Sequence, residues 1–339
     1  MAKSSPGARL ASEPPRLLAV ETRERRYREM RLLHYFTVAV CPTFPGVYLD
    51  EVRKIWSVDV PVMAMDYEPL LNAMMGLAIL HMTYTDNTSG LLHQHQLLSH
   101  GAEYLEATLQ EHRKALDSLD RKNADPASFT SVILSFHAFA SLRERPIQPY
   151  HPPLQWLQMS KGVQNVFKIT RRFVQDDPKA KINIINASSA SFVEPSVIFC
   201  EANRNRFPYL LASQPKDSIS EEDREVYVDT VCFLGALLGG KEAGEPISQT
   251  CRRLIIYPIV WSTRFLELLD SLRPRALLIL AHFFGLASTC SDSWWVGDSP
   301  RREVLAIEKY LGTEWQSEMA WPLEAIRNST TPGGLETTS

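Results

Sequence analysis

Three histidines that lie close together in the sequence are the first residues whose type suits a metal ion. They are His93, His95 and His100. On an α-helix His93 and His95 point roughly 200° apart, whereas His93 and His100 share a face but lie about two turns apart, too far for one zinc ion. No His-Glu-x-x-His motif is present. We therefore interpret these histidines as structural or surface residues and expect no metal site.

The patterns of nucleotide binding and nucleophilic catalysis are also missing from the sequence. Gly239-Gly240-Lys241 comes nearest to a phosphate-binding loop, but the first glycine of that spacing is missing. There is no Gly-x-Ser-x-Gly motif to present a catalytic serine. Cys200 or Cys290 would need an activating partner that the sequence does not locate. We expect no cofactor and assign no catalytic residue.

Two other histidines and a group of methionines lie in strongly apolar segments. His81 follows an apolar run that begins near Leu70, and His282 lies within the run 276–287. The default for such a histidine is a hydrogen-bonded core imidazole, and the alternative is a ligand contact or a general base. Methionines either line a pocket for a bulky apolar ligand or fill a core. The candidate ligand-binding residues are Met74, Met75, His81, Leu278, His282 and Phe283.

Composition restricts the classes of protein that remain. The chain has 339 residues, of which 45% are hydrophobic, and a net charge of −3. This balance predicts a globular protein with no general attraction to nucleic acid or acidic lipid. The longest apolar stretch is shorter than the ~20 residues of a membrane span, so we expect none. Five widely separated cysteines favour a reducing compartment, the nucleus or the cytoplasm.

Helical periodicity dominates the chain, and no convincing strand pattern appears. The nearest approach to a strand, 181–185, is short and isolated. The Gly239-Gly240 pair is predicted to end a helix at Leu238 and to open the most flexible internal loop. We predict an all-α fold: one helical domain over 21–327 with about ten or more helices, a flexible tail over 1–20 and a disordered tail over 328–339. The principal predicted helices are 21–37, 67–84, 91–119, 126–142, 154–173, 221–238, 248–269, 273–289, 300–311 and 313–326.

Several short motifs follow one another in a characteristic order between residues 28 and 327. They are Arg31-Leu32-Leu33-His34-Tyr35-Phe36, Cys41-Pro42-Thr43-Phe44, the segment from Pro69 to His81, Ser160-Lys161-Gly162-Val163, the segment from Ala276 to Phe284, Trp294-Trp295, Glu314-Trp315 and Trp321-Pro322. In this order and spacing they resemble the carboxy-terminal regulatory domain of fungal binuclear zinc-cluster transcription factors, the group typified by the sterol uptake control protein.

The resemblance implies an all-helical regulatory domain and, for the sterol-sensing members, an apolar internal pocket that takes ergosterol or a similar lipid. The region at Gly239-Gly240 looks like the glycine-rich loop beside that pocket. Members that bind DNA carry six closely spaced cysteines near the amino terminus, and no such cluster precedes Arg28. We therefore expect no direct nucleic acid binding by that route. A zinc-cluster exon missing from the gene model is an alternative explanation.

Two functional hypotheses remain. In the first, which we favour, the protein is a transcription regulator that binds a sterol-like, terpenoid or polyketide ligand, or a transcription-factor partner, and controls a sterol or secondary-metabolite pathway. In the second, it is a cofactor-independent cyclase or isomerase that folds a polyketide or terpenoid intermediate in the same apolar pocket. The second hypothesis needs a reactive site that the sequence does not supply.

Overall fold

The computed structural model describes residues 22–85, 91–212, 217 and 219–329. The predicted tail over 1–20 lies outside the described residues. Of the predicted tail over 328–339, residues 330–339 also lie outside them. Within the described ranges no residue belongs to a β-strand, and the all-α prediction is confirmed. None of the helices in these ranges is long and apolar enough to cross a membrane.

Sixteen α-helices, several of them connected by short 3₁₀ or π segments, make up the described chain. They are α1 (Arg23–Tyr35), α2 (Asp50–Lys54), α3 (Val60–Met65), α4 (Glu68–Thr85), α5 (Leu91–Leu116), α6 (Ala124–Ala140), α7 (Leu154–Val174), α8 (Lys181–Ala187), α9 (Pro195–Ile198), α10 (Glu201–Arg204), α11 (Glu221–Glu242), α12 (Ile247–Val260), α13 (Thr263–Asp270), α14 (Pro274–Ala287), α15 (Ser299–Leu311) and α16 (Gln316–Asn328).

Two helices are apolar on nearly every side and therefore lie in the centre of the molecule. In α14 every residue from Arg275 to Ala287 is buried, and α4 is buried from Leu70 to His81 apart from Leu71. Helix α4 packs against α5 and α6, whereas α14 packs against α11, α15 and α16. Helix α7 packs against α6. Helices α12 and α13 contact both α7 and α11, and so connect the two groups. One hydrophobic cluster extends from α1 to α16.

The predicted helix end at Leu238 is wrong, because α11 continues through the glycine pair to Glu242. A Cβ atom at Gly239 would lie 2.8 Å from Cζ of Arg206, and one at Gly240 would lie 2.1 Å from Oε2 of Glu245. The two glycines therefore leave room for charged side chains that pack across the helix. The predicted flexible loop begins only after this helix.

Two other segments differ from their sequence patterns. The predicted helix 248–269 is interrupted after Val260, where Ser262 caps α13 by accepting a hydrogen bond from the Phe265 amide at 3.1 Å. The segment 181–185 is helical and forms most of α8. Its first amides donate to the Asp125 carboxylate, at 2.7 Å from Lys181 and 3.2 Å from Ile182. Asp125 lies far from α8 in the sequence, so the residues around 181 do not indicate this cap.

Candidate ligand-binding site

An apolar cavity of about 130 Å³ lies between α12 and the helices of the amino-terminal half. Its walls come from the turn after Thr43 and from α2, α6, α7, α8 and α12. The lining residues are Phe44, Pro45, Val52, Trp56, Val132, Phe136, Phe167, Ile185, Asn186, Ser189, Arg252, Ile255, Ile256 and Ile259. Most of these side chains are aliphatic or aromatic, and such a surface binds small apolar groups.

Helix α12 presents one face to this cavity. Arg252, Ile255, Ile256 and Ile259 are spaced at i, i+3, i+4 and i+7, which places them on the same side of an α-helix. Three of the four positions are isoleucines, and the first is an arginine. This stripe is not among the candidate residues named from the sequence, although its spacing can be read directly from it.

Arg252 is a buried cation, with 4% of the residue exposed. Its Nη2 atom donates to Oγ of Ser188 and, at 2.8 Å, to Oγ of Ser189. Both hydroxyls donate their own protons to the carbonyl oxygen of Ile185, at 2.7 and 3.0 Å, so they are free to accept from the arginine. The serines therefore fix the position of the guanidinium without neutralising its charge.

The Nη1 atom of Arg252 is buried and has no hydrogen-bond partner. In the part of the chain that the structure describes, Arg252 takes part in none of the ion pairs. The neighbouring Arg253 is different, because its Nη2 atom pairs with Glu245 at 2.8 Å. Arg253 is thus paired with a carboxylate and does not line the cavity, whereas Arg252 lines the cavity and has no carboxylate partner.

Two further residues hold the guanidinium of Arg252 in place. Its Cζ atom lies 5.4 Å from the centre of the Phe192 ring, within the range of a cation–π contact. Gly46 has a φ of +99°, and a Cβ atom there would lie 3.2 Å from Nε of Arg252. Glycine suits both the backbone conformation and the close approach. The position of the cation is therefore defined by residues from two distant parts of the sequence, Gly46 and the segment 188–192.

The candidate residues from the sequence analysis lie in the core, three on α4 and three on α14. Met74, Met75, Leu278 and Phe283 are at most 1% exposed. None of the candidates lines the cavities described in this section. Their contact with a ligand stays a prediction.

His81 lies at the edge of the core and has protein partners. Its Nδ1 atom is 2.9 Å from the hydroxyl of Tyr35 and 3.3 Å from that of Thr85, and its ring meets Trp294 edge to face at 4.7 Å. Burial lowers the pKa of His81 to about 4, so the imidazole is neutral at pH 7.

His282 is completely buried in α14 and has both ring nitrogens occupied. Its Nδ1 atom lies 2.7 Å from the carbonyl oxygen of Leu278, which can only accept, so Nδ1 carries the proton. The Nε2 atom then accepts from the Tyr209 hydroxyl at 2.7 Å. Burial lowers the pKa of His282 to about 4. The ring also stacks on Trp321, so this histidine joins three elements of the carboxy-terminal half.

Of the three clustered histidines, the structure describes the side chains of His95 and His100, which have different surroundings. His100 contacts Arg28, with 2.8 Å between Nε2 and Nη1, whereas His95 is exposed. The side chain of His93 lies outside the described residues. Across the described ranges no group of three His, Cys, Asp or Glu side chains could hold a metal ion.

A larger cavity of about 400 Å³ lies beside residues 151–156 and is lined in part by His137 and Arg145. Its arginine is already compensated, because Nη2 of Arg145 lies 2.7 Å from Oε2 of the buried Glu303. Another cavity of about 340 Å³ lies between α11 and α16 and is lined mainly by polar residues. Neither combines an apolar lining with an uncompensated buried charge, so the Arg252 cavity is the candidate site.

Comparison with known proteins gives one family model and two similar proteins. Residues 31–163 match the family model described as the fungal specific transcription factor domain. The chain is 30% identical over 259 residues to the Zn(2)-C6 fungal-type transcription factor afumD of Aspergillus fumigatus, covering 76% of this chain and 67% of that protein. It is 25% identical over 325 residues to a Zn(2)-C6 fungal-type transcription factor of Gibberella zeae, covering 88% of this chain and 61% of that protein.

These matches identify a regulatory class of protein. The chain belongs to the family of fungal zinc-cluster transcription factors, and the resemblance seen in its sequence motifs is confirmed. It spans about two thirds of the length of these relatives, 67% of the first and 61% of the second.

Proposed function

We propose that this protein regulates transcription in the nucleus and that its helical domain responds to a small, largely apolar molecule bound in the Arg252 cavity. The observation that carries the regulatory role is membership of the zinc-cluster transcription factor family. The apolar lining of the cavity supports the ligand. A transcription-factor partner is the second part of the proposal, and it rests on the family alone.

The position of the cavity suggests how a ligand acts on the domain. Helix α12 forms one wall, and α2, α6, α7 and α8 form the others. A ligand that fills the space adds contacts between α12 and these helices, so it favours the conformation in which they are packed together. A ligand shifts a conformational equilibrium by as much as its affinities for the two states differ. The regulatory signal would therefore be the packing of α12.

The regulatory role is tested by deleting the gene and measuring transcripts and metabolites in the same cultures. We expect a defined group of transcripts to fall and to recover when the gene is restored. Normal transcripts together with an accumulated polyketide or terpenoid intermediate would contradict the proposal and indicate the cyclase or isomerase hypothesis.

The sterol-like, terpenoid or polyketide ligands proposed from the sequence are tested separately, at His81 and His282. If these histidines contact a ligand, His81→Ala or His282→Ala weakens ligand binding by more than the accompanying loss of stability, without unfolding the domain. An equal loss of binding and of stability would assign both histidines to the core alone. Thermal unfolding with and without each ligand class measures both quantities on the same sample.

A further inference from the structure

We infer that the Arg252 cavity binds a small monocarboxylate whose apolar part is about the size of one benzene ring. The carboxylate would pair with the guanidinium of Arg252, and the ring or short branched chain would fill the apolar space. This inference rests on the proposed ligand-responsive role of the cavity and names the chemical class of the ligand.

The charge of Arg252 favours an anionic ligand. An arginine side chain stays protonated in proteins, and a charge removed from water is costly unless an opposite charge compensates it. Arg252 is 4% exposed, and its partners are two neutral serine hydroxyls and the face of Phe192. None of these carries a negative charge. A carboxylate on the ligand would supply the missing compensation.

The geometry of the guanidinium leaves one nitrogen available to a ligand. The two serines occupy Nη2, whereas the buried Nη1 atom has no partner. Arg252 also lines the cavity, together with the three isoleucines on the same face of α12. A carboxylate oxygen that accepts from Nη1 would form a charge-assisted hydrogen bond, which is stronger than one between neutral groups. Asn186, an exposed lining residue, places the solvent side of the cavity at the end of α8.

The volume of the cavity limits the size of the ligand. The cavity holds about 130 Å³, close to the ~150 Å³ of an engineered apolar cavity that binds benzene. Pockets for drug-sized molecules measure roughly 300–1,000 Å³. The space therefore suits one ring or a short branched chain and is too small for the ring system of a sterol. Volume and charge together favour an acid such as benzoate over a neutral lipid.

The test uses the full chain and isothermal titration calorimetry with benzoate as the probe. Benzyl alcohol matches its ring without the charge, and acetate matches its charge without the ring. We expect benzoate to bind at least roughly tenfold more tightly than either. Arg252→Met should remove the preference for benzoate over benzyl alcohol. Arg252→Lys should recover only part of it, because a lysine ammonium lacks the planar fork of arginine.

Arg253→Met is the matched control, because it removes an adjacent arginine that is already paired with Glu245. It should leave benzoate affinity unchanged. Val132→Phe is the second variant, since it fills the cavity from α6 and keeps Arg252. It should abolish benzoate binding even if Arg252→Met does not fold.

Three results would overturn the inference. Equal affinity for benzoate and benzyl alcohol in the unmodified protein would exclude the carboxylate and retain an apolar ligand. Benzoate binding that survives Val132→Phe would place the ligand elsewhere. Acetate or inorganic phosphate binding as tightly as benzoate would mean an adventitious anion site only. Failure of the regulatory role is read independently, from the transcripts of the deletion strain.

Discussion

Gly235 and Gly162 are both interior residues of long helices, but a side chain would meet different surroundings at the two positions. A Cβ atom at Gly235 in α11 would lie 2.0 Å from the carbonyl oxygen of Asn203, whereas one at Gly162 in α7 would find no atom within 4 Å. Asn203 is held in place by its own side chain, which donates to the carbonyl oxygens of Val197 and Ile198. The contact at Gly235 therefore involves backbone that cannot easily move.

We expect Gly235→Ala to lower the free energy of unfolding by roughly 1–3 kcal/mol, the usual cost of overpacking. Gly162→Ala should raise it by about 0.5–1 kcal/mol, because alanine restricts the unfolded chain and favours the helix. Urea denaturation followed by circular dichroism measures both changes. Full tolerance of Gly235→Ala would show that α10 and α11 do not pack as closely as the structure has them.

The candidate site shows which residues a sequence can indicate and which it cannot. His81 and His282 attract attention because they are polar residues in apolar segments, yet each is already hydrogen-bonded within the protein. Arg252 begins an i, i+3, i+4, i+7 stripe that the sequence displays. Its charge would normally place it in solvent, and its buried position depends on Ser188, Ser189 and Gly46, which no local pattern connects to it.

At the scale of elements, a buried ion pair fastens Asp217 to helix α14. Nε of Arg275 lies 2.8 Å from Oδ2 of Asp217, and the two side chains are 1% and 7% exposed. Nη1 of Arg275 also donates to the carbonyl oxygen of Leu210. The arginine thus connects the centre of the core to the segment that precedes α11.

Asp217→Asn should lower the free energy of unfolding by about 3–5 kcal/mol, because it leaves a buried guanidinium without its counter-charge. Asp50→Asn is the control, since Asp50 pairs with Arg53 on the exposed surface and should change the thermal midpoint very little. The proposed role of the buried pair fails if the two variants unfold at the same temperature.

The cap of α8 connects helix stability to the candidate site. Asp125 accepts hydrogen bonds from the Lys181 and Ile182 amides, and α8 carries Ile185 and Asn186 into the cavity wall. Asp125→Ala should cost about 0.5–2 kcal/mol, the usual effect of a lost cap. It should also weaken benzoate binding, although Asp125 is not among the lining residues. Asp125→Asn keeps an acceptor oxygen and should recover part of the lost stability and part of the lost benzoate affinity. Calorimetry on the two variants measures both.

Element types were more predictable than element boundaries. The apolar runs around His81 and His282 gave α4 and α14 nearly as they occur, because a helix that is apolar on all sides has few alternatives. The end of α11 was misplaced because the glycine pair accommodates Arg206 and Glu245, which approach from elsewhere in the chain. Long-range packing of this kind overrides the local tendency of glycine to end helices.

At the scale of the whole molecule, one hydrophobic cluster reaches from α1 to α16, and several neutral histidines are buried around it. Burial lowers the pKa to about 4 for His81, His112 and His282. In the unfolded chain the pKa of each returns to its ordinary value of 6.5. Between pH 6.5 and pH 4 these histidines are protonated in the unfolded chain and neutral in the folded protein, so acid favours unfolding.

The sign and the pH window of this effect follow from the direction of the shifts. The stability associated with the neutral histidines is fully present above pH 6.5 and is lost as the pH falls from 6.5 toward 4. Each histidine contributes about 1.4 kcal/mol per pH unit in that window, so the three together contribute about 4 kcal/mol per unit. A domain of ordinary stability, about 5–15 kcal/mol, should therefore lose most of its stability before pH 4 is reached.

Urea midpoints measured at pH 7.5, 6.5, 5.5 and 4.5 test this expectation with no ligand present. His112→Gln should make the decline shallower, because it removes one of the three buried imidazoles while its amide can still reach the Ser131 hydroxyl that His112 contacts at 2.9 Å. His34→Gln is the control, since His34 is exposed and its replacement should leave the slope unchanged. A midpoint that stays constant from pH 7.5 to 4.5 would mean that the buried histidines take up protons without unfolding, and that the core around them admits charge.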